Sequence, residues 1–217
     1  DFSPSKGGDS ATTFSNAVNN NNNDNHPQHV QENNNAQIPP AKQQDNNDES
    51  EFKLDENLDK IVQLARTYRG SKVLQDFIIK ANKVDLDKMI SRMANNMIEL
   101  MLDPYANYMI QILAKHCQPE QRLVLLQKIA PAMYRIACDK KGTYALQTIV
   151  SLISTHPEDN LMKAALGNHV LELSLDIQGN HVIQKLINAV SVKNIEFIYQ
   201  PLVDNFLEVA THSSGSL

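Results

Sequence analysis

Four glutamines stand at positions 75, 111, 147 and 184, and each is preceded by the same kind of company. Four residues before them come Ser71, Asn107, Thr143 and Asn180; three before come Lys72, Tyr108, Tyr144 and His181. On a helix, residues four apart are neighbours on one face. A glutamine amide beside a hydroxyl or a second amide offers paired donors and acceptors, which suits the edge of a nucleobase. A flat or cationic side chain next to that pair can lie between two bases. One such trio is an ordinary solvated helix face. Four in register are not, because a solvated face drifts among Lys, Glu, Ser and Gln, whereas here the glutamine recurs each time.

The trios sit in a longer repeat. Tyr68 to Gln75, Pro104 to Gln111, Lys140 to Gln147 and Ile177 to Gln184 align, each with a small Gly or Ala before the trio, in steps of 36, 36 and 37 residues. A fifth step of 36 lands on Ser216, again after a glycine, Gly215, so the pattern reads as four units and the start of a fifth. Fixed self-similarity at this period is the mark of a stacked repeat architecture.

Each unit reads as helical. Asp103 is expected to cap a helix with Pro104 at its first position, and Asp139 and Asp176 take the same place in the next two units. A second apolar-periodic run follows, Arg122 to Tyr134, Leu161 to Leu173 and Ile195 to Leu207, opened by Pro119, Pro157 or Ser191, with Pro131 and Pro201 as the expected joints. At about 100° per residue, with Asn107 at zero, Gln111 lies near 40°, Lys115 near 80° and Tyr108 near 100°. Met109, Ile112, Leu113 and Cys117 fall between roughly 140° and 280°. The apolar arc must face the interior, which is expected to leave Asn107, Tyr108 and Gln111 pointing outward together, and likewise in the other units. Period, helix content and the lack of hairpin signals give an all-α solenoid.

Composition divides the chain. Residues 1–51 hold twelve Asn, only two aromatics, and eight acidic against two basic side chains. Such a stretch has too little apolar surface to offset its ordering entropy and is expected to be a disordered Asn/Gln-rich tail. Residues 52–217 carry eighteen basic and seventeen acidic side chains, a net charge of +1. A near-neutral body argues against binding that relies mainly on neutralising phosphates, so base contacts must supply much of any nucleic-acid affinity. Cys117 and Cys138 form no CxxC pair and read as small core residues in a reducing compartment. No phosphate-cradling glycine loop occurs, and His116, His156 and His169 lack metal-ligand spacing, so the chain reads as a non-enzyme without catalytic residues, cofactor or metal site. No apolar run approaches the ~20 residues that cross a membrane, and the expectation is a soluble, intracellular protein.

Asn-Tyr-x-x-Gln and Asn-His-x-x-Gln after Gly or Ala, in units of about 36 residues, resemble the RNA-reading helices of the Pumilio (PUF) family, over residues 54–217. The resemblance implies a right-handed, armadillo-like solenoid, a partial Pumilio homology domain over residues 52–217. It also implies that the first and last residue of each trio bind a base's Watson-Crick edge while the middle one stacks. Ser71, Gln75, Asn107, Gln111, Thr143, Gln147, Asn180 and Gln184 would then touch base edges, and Lys72, Tyr108, Tyr144 and His181 would stack. By the family's code, Asn with Gln reads uracil and Ser or Cys with Gln reads adenine, on RNA running antiparallel to the protein, which gives 5′-UAUA-3′. Thr143 stands where Ser or Cys is more usual. Lys72 stands where Arg is frequent, and an ammonium has no planar face to stack. The resemblance further implies a cytoplasmic monomer that binds messenger RNA 3′ untranslated regions for translational repression or decay, with a deadenylase complex as protein partner. The competing reading is a protein-binding scaffold of the armadillo or HEAT kind, which gives no reason for a trio in every unit.

Overall fold

A computed structural model describes residues 52–213; the expected tail, residues 1–51, lies outside the described residues. After α1 (Leu54–Asn57) and α2 (Ile61–Ala65), the chain runs through α3 (Tyr68–Lys80), α4 (Lys83–Met93), α5 (Met97–Leu102), α6 (Ala106–His116), α7 (Pro119–Ile129) and α8 (Met133–Cys138). It continues through α9 (Gly142–Val150), α10 (His156–Leu166), α11 (Val170–Leu175), α12 (Gly179–Ala189), α13 (Glu196–Asp204) and α14 (Phe206–Thr211). The described residues contain no strand, and the all-α solenoid read from the periodicity is the fold observed.

The helices stack in three rows. Helices α3, α6, α9 and α12, which carry the trios, pack each on the next. A second row runs α4, α7, α10, and a third runs α5, α8, α11, α14. Each third-row helix packs on the first-row helix that follows it, α5 on α6, α8 on α9 and α11 on α12. A unit thus has three helices where the sequence reading has two. The runs Arg122 to Tyr134 and Leu161 to Leu173 are broken by 3₁₀ turns at Ala130–Ala132 and Gly167–His169, and the first unit has the same break at Ala94–Asn96. The tighter winding of those three residues redirects the chain while keeping nearly the same apolar period, which is why the run looks continuous in sequence. Pro131 occupies the Ala130–Ala132 turn. Pro201 instead lies inside α13, and the joint follows it at Asn205.

The helix starts are built by the expected aspartates, one residue pair later than expected. Asp103 Oδ1 accepts from the backbone N–H groups of Tyr105 and Ala106 at 2.8 and 2.9 Å, and Asp139 and Asp176 do the same for Lys141 with Gly142 and for Gln178 with Gly179. Two otherwise unpaired donors are satisfied at each start. Pro104 therefore sits in the turn before α6, not in its first helical position. The glycines before the third and fourth trios mark close crossings with the preceding third-row helix. A Cβ on Gly142 would stand 2.9 Å from Leu102 Cδ2 and 3.0 Å from the Ile136 carbonyl oxygen, and one on Gly179 would stand 2.8 Å from Leu173 Cδ2.

The core runs continuously along the rows, with Met89, Met93, Met97, Leu100, Met109, Leu113, Leu126, Ile136, Leu146, Leu166 and Ile183 among its buried members. Burial of each such side chain contributes about 1.5–3 kcal/mol. The second row is also stapled by polar pairs. Gln121 Nε2 donates to Asp87 Oδ1 at 2.6 Å across α4 and α7. Between α7 and α10, Arg122 Nε donates to Glu158 Oε1 at 2.6 Å and its Nη2 to Ser154 Oγ at 3.0 Å, both charged side chains being buried.

Candidate nucleic-acid interface

The trios begin at the second residue of α6, α9 and α12 and at the fourth of α3, so the row brings Ser71, Asn107, Thr143 and Asn180, their four glutamines and the four intervening residues along one side of the stack. The glutamines are half-buried, Lys72 and His181 are exposed, Tyr108 is half-buried and Tyr144 is 36% exposed. The first residue of each trio departs from the outward-pointing expectation. Ser71 is 2%, Asn107 3%, Thr143 0% and Asn180 7% exposed. The cause is the sandwiching of α6 between α3 and α9: Ile110 and Ala114, outside the arc of Met109, Ile112, Leu113 and Cys117, are buried as well, and the covered arc closes over the position of Asn107. Beside it, Tyr108, Gln111 and Lys115 keep access to solvent.

In the first three units hydrogen bonds tie the trio's ends together. Gln75 Nε2 donates to Ser71 Oγ at 3.1 Å, Gln111 Nε2 to Asn107 Oδ1 at 3.2 Å and Gln147 Nε2 to Thr143 Oγ1 at 2.9 Å. Each bond uses one of the amide's two N–H groups. The first residue is anchored in one of two ways. Ser71 Oγ donates to the Tyr105 carbonyl of the next unit at 2.8 Å, and Thr143 Oγ1 makes the equivalent, longer contact to Gln178 O at 3.4 Å. The asparagines instead bond within their own unit, Asn107 Nδ2 to Asp103 O at 2.7 Å and Asn180 Nδ2 to Asp176 O at 3.0 Å. Hydroxyl units therefore clip to their neighbour, while asparagine units brace their own helix start.

One neighbour of the trios escaped the sequence reading. Thr148 Oγ1 lies 3.4 Å from Gln111 Oε1 in the preceding unit and donates to Tyr144 O at 3.0 Å. Its position holds Asp76, Ile112 and Lys185 in the other units, so no recurrent type signals it.

The remaining singled-out residues have structural surroundings. Burial pushes the Cys117 thiol up to about 12, so it stays a protonated core residue. Cys138 is only partly covered; burial, with the Asp176 carboxylate nearby, raises it too. His116 Nδ1 lies 2.9 Å from the Ile112 carbonyl, and His169 Nδ1 lies 3.0 Å from Glu172 Oε2 while its ring packs on Tyr134 at 4.5 Å. Among the described residues no helix is long and apolar enough to cross a membrane, and no cluster of His, Cys, Asp and Glu could hold a metal ion.

A repeat solenoid with one polar trio per unit along a single row is a recognisable class, and comparison with known proteins places it. The family model for the Pumilio-family RNA binding repeat matches residues 96–130 and 169–201, spanning the second and fourth trios. A Pumilio domain-containing protein of Schizosaccharomyces pombe is 33% identical over 71% of this chain and 23% of its own length. Pumilio homolog 11 of Arabidopsis thaliana is 30% identical over 74% of this chain and 29% of its own. Among solved structures, the Puf4 RNA binding domain bound to an HO endonuclease RNA 3′ UTR recognition sequence superposes with a TM-score of 0.68 at 31% identity, over 70% of this chain and 47% of that one. The RNA-binding domain of yeast Puf5p bound to MFA2 RNA gives 0.67 at 28%, over 73% and 46%. The chain belongs to the Pumilio family. It spans about a quarter of the length of these curated relatives and less than half of the solved domains.

Proposed function

We propose that this chain binds single-stranded RNA sequence-specifically, one base per unit, with Ser71/Gln75, Asn107/Gln111, Thr143/Gln147 and Asn180/Gln184 meeting base edges and Lys72, Tyr108, Tyr144 and His181 lying between bases. The observation that carries this reading is the bond, in the first three units, from the glutamine amide to the first residue of its trio, on an accessible strip beside the proposed stacking side chain. That bond holds two polar groups edge to edge and leaves the glutamine's second N–H for a base. The solved relatives are bound to RNA, Puf4 to a 3′ UTR recognition sequence and Puf5p to MFA2 RNA, which supports RNA binding by this chain. Because the first residues are nearly covered, the glutamines make the more accessible contact, and the first residues act at the floor of each base site. The sequence read is 5′-UAUA-3′ with its 3′ end at the first unit. The residues 52–217 form part of a Pumilio homology domain, and the setting is a cytoplasmic monomer repressing or destabilising messages through their 3′ untranslated regions, with a deadenylase complex as the recruited partner. Selection of bound RNA from a random pool tests the base assignment: enrichment of UAUA supports it, and a pool without a common four-base core overturns it.

A further inference from the structure

The junction between the third and fourth units holds a cavity that no trio residue lines. An open cavity of about 410 Å³ lies there, lined by Ser154, Thr155, His156, Asp159 and Ser191, with Pro157 and Ala189 as its apolar part. Two of its polar groups are poorly served. Asp159 is 3% exposed, and its Oδ2 accepts a long bond, 3.3 Å, from the Ser191 backbone N–H. Its ion-pairing neighbour, His156 Nδ1, stands 3.9 Å off, beyond hydrogen-bond reach. The Ser191 hydroxyl oxygen is buried without any hydrogen-bond partner. A buried carboxylate is ordinarily paired with a cation, and a buried hydroxyl is ordinarily bonded.

The neighbouring junction shows what fits. Ser154 lies 37 residues before Ser191, at the equivalent place in its own unit. Its hydroxyl is bonded by the Arg122 guanidinium, which also forks onto Glu158 at 2.6 and 3.3 Å. The unit that should supply the corresponding cation to Ser191 has Glu158 itself, 36 residues after Arg122, in place of an arginine. The third-to-fourth junction thus has the hydroxyl, and a carboxylate from the other side of the cleft, but no guanidinium of its own.

We infer that this cavity is a docking site for an arginine side chain of a partner protein, with the guanidinium set between Asp159 and the Ser191 hydroxyl as Arg122 is set between Glu158 and Ser154. A planar fork suits a carboxylate and an adjacent acceptor better than a point charge does. Residues 1–51 contain no arginine, with Lys6 and Lys42 as their only basic side chains, so that segment cannot supply the group.

The test uses the 217-residue chain and N-acetyl-arginine amide as probe, followed by backbone amide NMR at pH 7.5, with N-acetyl-norleucine amide as control. The arginine probe should shift the amides of Thr155, Asp159 and Ser191 saturably with a dissociation constant in the millimolar range, near 1 mM and about −4 kcal/mol, and the norleucine probe should not. Asp159→Asn, which keeps an acceptor for the Ser191 N–H, should weaken binding by about tenfold or more. Ser191→Ala removes a hydroxyl that has no partner, so it should leave the melting temperature unchanged or raised while weakening the probe about threefold. Shifts absent up to about 50 mM probe, or present and undiminished in both variants, would overturn the assignment.

Discussion

Arg122→Met should be among the most damaging single changes outside the hydrophobic core. The substitution keeps much of the volume but leaves the Glu158 carboxylate, 0% exposed, without its countercharge. Removing one partner of a buried ion pair typically costs about 3–5 kcal/mol. Glu158 Oε2 still accepts from the Ser154 and Thr155 N–H groups and the Thr155 hydroxyl at 3.1, 3.0 and 2.8 Å, which puts the expected loss near the lower end, about 3 kcal/mol. For a domain of this size, about 2–4 °C of melting temperature follows each kcal/mol, so the midpoint should fall by roughly 6–12 °C. The double variant Arg122→Met with Glu158→Leu removes both charges and loses mainly the Thr155 helix-start contact, about 1 kcal/mol. Acid behaviour gives a second readout. Burial pushes the Glu158 carboxyl up, but the Arg122 guanidinium and the N–H donors of the α10 start outweigh it and hold the group below its ordinary value of 4.5. A carboxyl depressed by folding stabilises above its unfolded value and loses that contribution as pH falls through the lower, folded one. Wild-type stability should therefore drop below about pH 4.5 more steeply than that of Glu158→Gln. The assay is thermal and denaturant unfolding of these three variants and of Glu158→Leu alone across pH 3–7. A midpoint shift under about 2 °C for Arg122→Met, or a double variant as unstable as the two single losses added, would refute the reasoning.

Three further outcomes are expected. Tyr144→Ala should weaken RNA binding by about 1–3 kcal/mol in titration while leaving the melting temperature nearly unchanged, since the ring is among the more exposed aromatics; a collapse in stability with normal binding by the folded fraction would make it a packing residue. Gly142→Ala should destabilise by about 1–3 kcal/mol in denaturant unfolding, because its Cβ meets Leu102 and the Ile136 carbonyl at 3.0 Å or less; unchanged stability would mean that α9 can shift off α8 freely. Cys117, with its thiol pushed up to about 12, should resist a thiol reagent at pH 8 in the native protein and react after Cys138, as read by mass spectrometry; faster labelling of Cys117 would contradict its burial.

The period and helix class were legible because the units repeat their helix-start aspartates, Asp103, Asp139 and Asp176, and their apolar register. Of the 3₁₀ joints only the one at Pro131 was legible, because Ala94-Asn95-Asn96, Ala130-Pro131-Ala132 and Gly167-Asn168-His169 share a position but no residue pattern. The trios' membership was legible, but the burial of their first residues was not. A helical wheel places Asn107 relative to its own helix alone, whereas its cover comes from the neighbouring units. The inter-unit bonds of Ser71 to Tyr105 and of Arg122 to Glu158 have sequence separations near one period, and become visible only once the units are stacked.

The most direct test of base reading changes the second unit's preference. Uracil presents carbonyl acceptors and one N–H, which the Asn107 and Gln111 amides can match; guanine presents two adjacent donors, which a carboxylate accepts together. Asn107→Ser with Gln111→Glu installs that carboxylate. A serine at this place also has a structural precedent, since Ser71 anchors itself on the next unit's Tyr105 carbonyl. Competition titration of RNAs containing 5′-UAUA-3′ and 5′-UAGA-3′ against both proteins at low salt should show the preference reversing, by about 1–3 kcal/mol. Equal weakening of both RNAs, with no reversal, would mean that these side chains touch RNA without reading it.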